Sequence, residues 1–144
     1  MAPRVEFHPL SAAQGGADGL ATALRAVCAP LLADAEPIAI LAMDAGQART
    51  LDQALWQGHD FIAHCLADDP DHEVAQVVIA APGQAVPARP CLVNLRAEAI
   101  DPATRSGCRQ VIELIPLDQA GRQAARQRWR AYQQGGIKPV MVER

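Results

Sequence analysis

Aromatic side chains are scarce in this chain: of 144 residues only Phe7, Trp56, Phe61, Trp129 and Tyr132 carry a ring. Half of the residues are apolar, but they are mainly Ala, Val, Leu and Ile, so the expected core is aliphatic. No apolar run approaches the ~20 residues of a membrane span, which argues against a transmembrane helix. The first residues, MAPRVEFHPL, lack the basic-then-apolar layout of a secretory signal, and a cytoplasmic protein is expected. Four cysteines (Cys28, Cys65, Cys91, Cys108) are scattered without a Cys-x-x-Cys pair, so reduced thiols are expected rather than a disulfide framework. A G-x-S-x-G elbow, a P-loop and an H-E-x-x-H helix are all missing, and nothing in the sequence supports catalysis. There are no internal repeats and no sign of a second core. A single domain spanning residues 1–144 is long enough to bury roughly 70% of its unfolded surface.

Charge is unevenly placed. The net charge is −3, yet from residue 119 onward six basic residues (Arg122, Arg126, Arg128, Arg130, Lys138, Arg144) face only Glu143. The first 118 residues carry seven basic against fifteen acidic residues. This polarity argues against general nucleic-acid binding, which wants a broadly basic footprint, and favours one local basic site for an acidic partner.

That site is legible in residues 122–132, RQAARQRWRAY, where two of the five aromatics lie among four arginines. Wound as a helix at about 100° per residue, Arg122, Arg126, Trp129 and Arg130 share one arc, while Ala124, Ala125, Ala131 and Tyr132 form the arc suited to packing on a sheet. Arg128 lies roughly 200° from Arg126 and is expected to point inward, toward an acid or strand-end carbonyls. A stripe of guanidinium groups around an indole suits an acidic peptide ending in an aromatic residue, because arginine forks onto carboxylates and the ring supplies rigid contact area. A merely solvated helix face is the plainer alternative.

Periodicity predicts strands over residues 4–8, 38–43, 74–81, 91–95 and 110–115, and helices over 20–32, 45–56 and from about 118 to Gly135 and Gly136. Pro30 should sit near the end of the first helix or kink it. Asp44 is the expected N-cap of the second, and Asp118 or a near neighbour that of the third. The apolar run IAILAM reads as a strand covered on both faces. The order predicts an α/β domain: a three-layer, Rossmann-like fold with a largely parallel central sheet and helices on both faces. Residues 137–144 form a tail without an assigned conformation.

Two other stretches resemble sites. Gly15, Gly16 and Gly19 between a strand and a helix, with Asp44 after the second strand, outline an alternative function as an α/β nucleotide-binding enzyme. The spacing is GGADG rather than G-x-G-x-x-G, and a flexible connection with an N-cap accounts for the same residues. Residues 59–72, HDFIAHCLADDPDH, hold three histidines, Cys65 and four aspartates. They lack the repeated short pairs of a zinc framework, and adjacent His64 and Cys65 would point to different sides of an extended chain. An acidic loop without metal is expected there. Trp56 at the end of the second helix and Phe61 close after it outline an exposed apolar patch of the kind used by protein interfaces, with ordinary core packing the plainer alternative for each.

Taken in order, LDQALW (51–56), FIAH (61–64), LVNLR (92–96), VIELIP (111–116) and ARQRWRAY (125–132) resemble the chi subunit of the bacterial DNA polymerase III clamp-loader complex. One departure is Ala63, where that family often has proline. The resemblance implies a non-catalytic replication adaptor with a Rossmann-like fold and no cofactor. It implies binding to the acidic C-terminal tail of single-stranded DNA-binding protein through Arg122, Arg126, Trp129 and Arg130, with Ile115 in the apolar floor. It implies a second contact, with the psi subunit of the clamp loader, around Phe61 with Trp56 and His64. Contact with DNA would then be indirect.

Overall fold

The computed structural model describes residues 3–10, 16–34, 36–56, 64–70 and 75–142. Among these residues seven strands form one sheet: β1 (Arg4–Pro9), β2 (Ile38–Leu41), β3 (His64–Leu66), β4 (Val77–Ala80), β5 (Cys91–Asn94), β6 (Gln110–Ile115) and β7 (Val140–Met141). Their order across the sheet is β3-β4-β2-β5-β6-β1-β7, and every pairing is parallel. Three helices, α1 (Gly16–Ala33), α2 (Ala45–Trp56) and α3 (Gln119–Gln134), supply crossovers. The expected three-layer, Rossmann-like α/β fold is therefore the observed one.

Alternation along the strands assigns the faces. In β2, Ile38 and Ile40 pack with Leu24, Val27 and Cys28 of α1 and Ala48 and Leu51 of α2, whereas Ala39 and Leu41 pack with Ala125 and Tyr132 of α3. All four β2 side chains are buried, as a central parallel strand covered on both sides requires. Among the described residues α3 is the one helix on its face, where Ile100 and Cys108 also pack, and Arg122, Arg126 and Arg130 are exposed.

Several boundaries differ from those predicted. The helix α1 begins at Gly16 rather than residue 20, so Gly16 and Gly19 belong to its first turn rather than to a loop. Glycine costs least at a helix start, where the first amide groups have no intrahelical partner anyway. Pro30 lies inside the last turn of α1. The second strand stops at Leu41 and Met43 turns out to solvent, where Asp44 caps α2. Two strands went unpredicted. The three-residue edge strand β3 lies within the acidic stretch read as a loop, and β7 lies within the unassigned tail. Both are too short to show periodicity, and each is fixed by pairing with one neighbour, β4 or β1.

Among the described residues, no helix is long and apolar enough to cross a membrane.

Candidate functional site

The last helix is set by its two ends. Asp118 caps α3, its Oδ2 accepting the Gly121 amide at 2.9 Å. Gly121 is required by close approach: a Cβ there would meet Pro116 Cβ at 2.6 Å and the Asp118 carboxylate at 2.7 Å. At the far end, Gly136 has a φ of 86° and the Ile137 amide donates to the Tyr132 carbonyl at 3.0 Å. The Gly136 amide bonds the Gln133 carbonyl at 3.0 Å, completing a Schellman closure with buried Ile137 folded back toward Tyr132. This turn delivers the chain to β7, which pairs with β1 so that Met141 lies beside Phe7.

The buried face of α3 consists of Ala125, Arg128 and Tyr132. Arg128 points inward, as its helical position predicted. Its Nε donates to Glu113 Oε1 at 2.8 Å and its Nη2 to the Leu114 carbonyl at 3.2 Å. The second Glu113 oxygen accepts from Tyr132 Oη at 2.5 Å and from Asn94 Nδ2 at 2.8 Å. Burial pushes the Glu113 carboxyl up, against the lowering effect of Arg128, Tyr132 and Asn94. Burial also raises the Tyr132 hydroxyl, with the Glu113 charge adding to it, so Tyr132 remains a donor. Ala131, expected on the packed arc, is exposed, because Arg128 rather than Ala131 fills that side of the buried face.

Beside this face lies a recess of about 440 Å³. Arg122, Arg126 and Arg130 stand exposed along one rim, and half-buried Trp129 forms a wall. Ile115, at the end of β6, contributes to the apolar lining. All five positions expected at a tail-binding site thus line one cavity. Among the described residues none of the three rim arginines is held in an ion pair, so their forked donors are available. Sequence reasoning missed Phe7, Ala125, Gln133 and Met141, which complete the lining. Phe7 and Trp129 are in ring contact, with centroids 5.0 Å apart and planes at 50°. An apolar slot rimmed by unpaired guanidinium groups is equipped to hold an apolar side chain and a nearby carboxylate together.

Residues 2–140 match the family described as DNA polymerase III chi subunit, HolC. The DNA polymerase III subunit chi of Escherichia coli (strain K12) is 32% identical over 126 residues, covering 83% of this chain and 84% of that one. The chain belongs to the DNA polymerase III chi-subunit family. Its role is accordingly that of a subunit in DNA replication. Solved structures share the chi-family fold at lower identity. The C-terminal domain of the DEAD-box protein Dbp5 has a TM-score of 0.60 at 15% identity, over 98% of this chain and 89% of that one. A Saccharomyces cerevisiae Dbp5 C-terminal domain bound to Gle1 and IP6 has a TM-score of 0.58 at 16% identity, over 99% and 90%. At such identities the likeness is one of fold alone.

The other positions singled out in this chi-family chain fall partly outside the described residues. Gly15 lies outside the described residues. Asp44 is exposed and occupied as a cap, its Oδ1 accepting the Gln47 amide at 2.7 Å. A second cavity of about 510 Å³ opens at the carboxyl ends of the strands, where open α/β sheets often place ligands, but Leu10, Leu20, Leu95, Leu114 and Leu117 make it largely aliphatic. Among the described residues no three His, Cys, Asp or Glu side chains come together to hold a metal ion. Trp56 ends α2 and His64 opens β3. Phe61 lies outside the described residues.

Proposed function

We propose that this chi-family chain is a non-catalytic cytoplasmic adaptor that captures the acidic C-terminal tail of single-stranded DNA-binding protein in the α3 recess. A second surface around Trp56, Phe61 and His64 would receive the psi subunit of the clamp loader. In this reading residues 1–144 act as one domain, use no cofactor, and meet DNA only through the protein that coats it. The supporting observation is the gathering of Arg122, Arg126, Trp129, Arg130 and Ile115 around one recess.

The division of labour follows from chemistry. A terminal aromatic enters the apolar slot, its carboxylate accepts from a rim arginine, and the preceding acidic residues run along the remaining guanidinium groups. The acidic remainder of the chain repels phosphate, so contact with nucleic acid is indirect. The test is calorimetric titration with a short acidic peptide ending in Phe, as the free acid and as the C-terminal amide. The free acid should bind more tightly, and both should weaken with added salt. Equal binding of the two forms would remove carboxylate capture.

A further inference from the structure

We infer that Phe7 is the positioning residue that gives the recess its preference for a terminal aromatic over a terminal aliphatic side chain. The inference rests on the tail-capture reading above and adds to it a determinant from the opposite end of the chain.

Aromatics are few in this protein, yet three of the five meet at one place. Phe7 is only 1% exposed and nevertheless lines the recess. It contacts Trp129 at 5.0 Å with a 50° tilt, and Tyr132 edge-on at 6.2 Å and 74°. Tyr132 is itself fixed, donating to Glu113 at 2.5 Å and accepting the Ile100 amide at 3.1 Å. Among the described residues no hydrogen bond holds the Trp129 indole, and Phe7 is its one ring partner. The position of the recess wall is therefore transmitted from buried polar anchors through Tyr132 and Phe7 to Trp129.

Tilted and edge-on ring pairs at such distances are worth roughly 2- to 10-fold in affinity beyond the area they bury. The Trp129 wall that Phe7 orients offers an incoming ring that advantage and offers a branched aliphatic chain only area. Leucine at position 7 would keep the site apolar but would remove the surface that orients Trp129. The aromatic preference should then fall while carboxylate capture by the arginine rim persists.

The experiment titrates wild type and Phe7→Leu with two acidic peptides that differ only in ending in Phe or Leu, each as free acid and amide. Wild type is expected to favour the Phe ending by roughly 3- to 10-fold, and Phe7→Leu to discriminate by less than about 2-fold. The loss caused by amidation should stay as large in the variant as in wild type. A folded Phe7→Leu that keeps the wild-type ratio overturns the inference. Phe7→Met, whose unbranched side chain adapts to the space the ring leaves, carries the same comparison if Phe7→Leu does not fold. Wild type binding both peptides equally overturns the inference and leaves tail capture standing. Wild type binding neither peptide overturns tail capture, and the role of Phe7 falls with it.

Discussion

Arg128 on α3 and Glu113 on β6 form a buried ion pair with an N–O separation of 2.8 Å, both side chains being less than a tenth exposed. The pair lies behind the recess, on the side of the helix away from Arg126. One helix therefore uses chemically identical side chains in opposite ways: Arg128 fastens it to the sheet, and Arg122, Arg126 and Arg130 stand exposed at the rim of the recess. Removing the Arg128 guanidinium leaves an uncompensated buried carboxylate and an unpaired strand-end carbonyl. Arg128→Ala should lower unfolding stability by roughly 3–5 kcal/mol. Urea unfolding monitored by far-UV circular dichroism checks this, and an unchanged midpoint would mean that the pair does not form in solution.

The start of α3 should be equally intolerant of a single methyl group. At Gly121 the two nearest obstacles are the Pro116 ring and the capping Asp118 carboxylate, and relieving the clash moves one or the other. Gly121→Ala should therefore lower stability by about 1–3 kcal/mol, the usual cost of forcing extra volume into a packed site. In an open helix position the same change would stabilise. A raised melting temperature would show that the close approach is absent.

Arg126→Ala should do the reverse of Arg128→Ala. Its side chain is exposed and makes no ion pair among the described residues. The melting curve should stay within about 0.5 kcal/mol of wild type, as for other surface changes. Affinity for the acidic peptide should fall by ~2 kcal/mol, the scale of an interface hot spot. The salt dependence of binding should become shallower, since one cation has left the rim. Wild-type affinity in a folded variant would take Arg126 out of the site.

How much of this was legible in sequence depended on how local the signal was. The sixth strand was readable to the residue because VIELI is apolar apart from Glu113 and Pro116 follows it. Asp44 and Asp118 were readable as caps, and the inward turn of Arg128 followed from helical angle alone. Its partner was not identified, although an acid at position 113 inside an apolar strand was a signal that something buried must answer it. Phe7 was missed for a different reason. Alternation in RVEFHP puts Val5 and Phe7 on one face of β1, but a strand pattern does not say which helix covers that face. Met141 reaches the recess only because the turn at Gly136 returns the chain to pair with β1. Both side chains of β7 are exposed, so no apolar pattern marked it.

The last prediction concerns the independence of the two proposed partner surfaces. The tail recess is built on α3, β1, β6 and β7, at one edge of the sheet. Trp56 ends α2, which packs on the opposite face, and β3, which His64 opens, is the strand at the other edge. Sites that share no side chains contribute independently to within about 0.5 kcal/mol. Phe61→Ala should therefore weaken binding of a psi subunit while leaving tail-peptide affinity nearly unchanged, and Arg126→Ala should show the opposite pattern. The double variant should lose both, each by the amount measured alone. Titration of all three proteins with both partners provides the comparison. If a folded Phe61→Ala loses the peptide, or if psi and peptide displace one another, the two surfaces are one and the chain cannot bridge two partners in the way proposed.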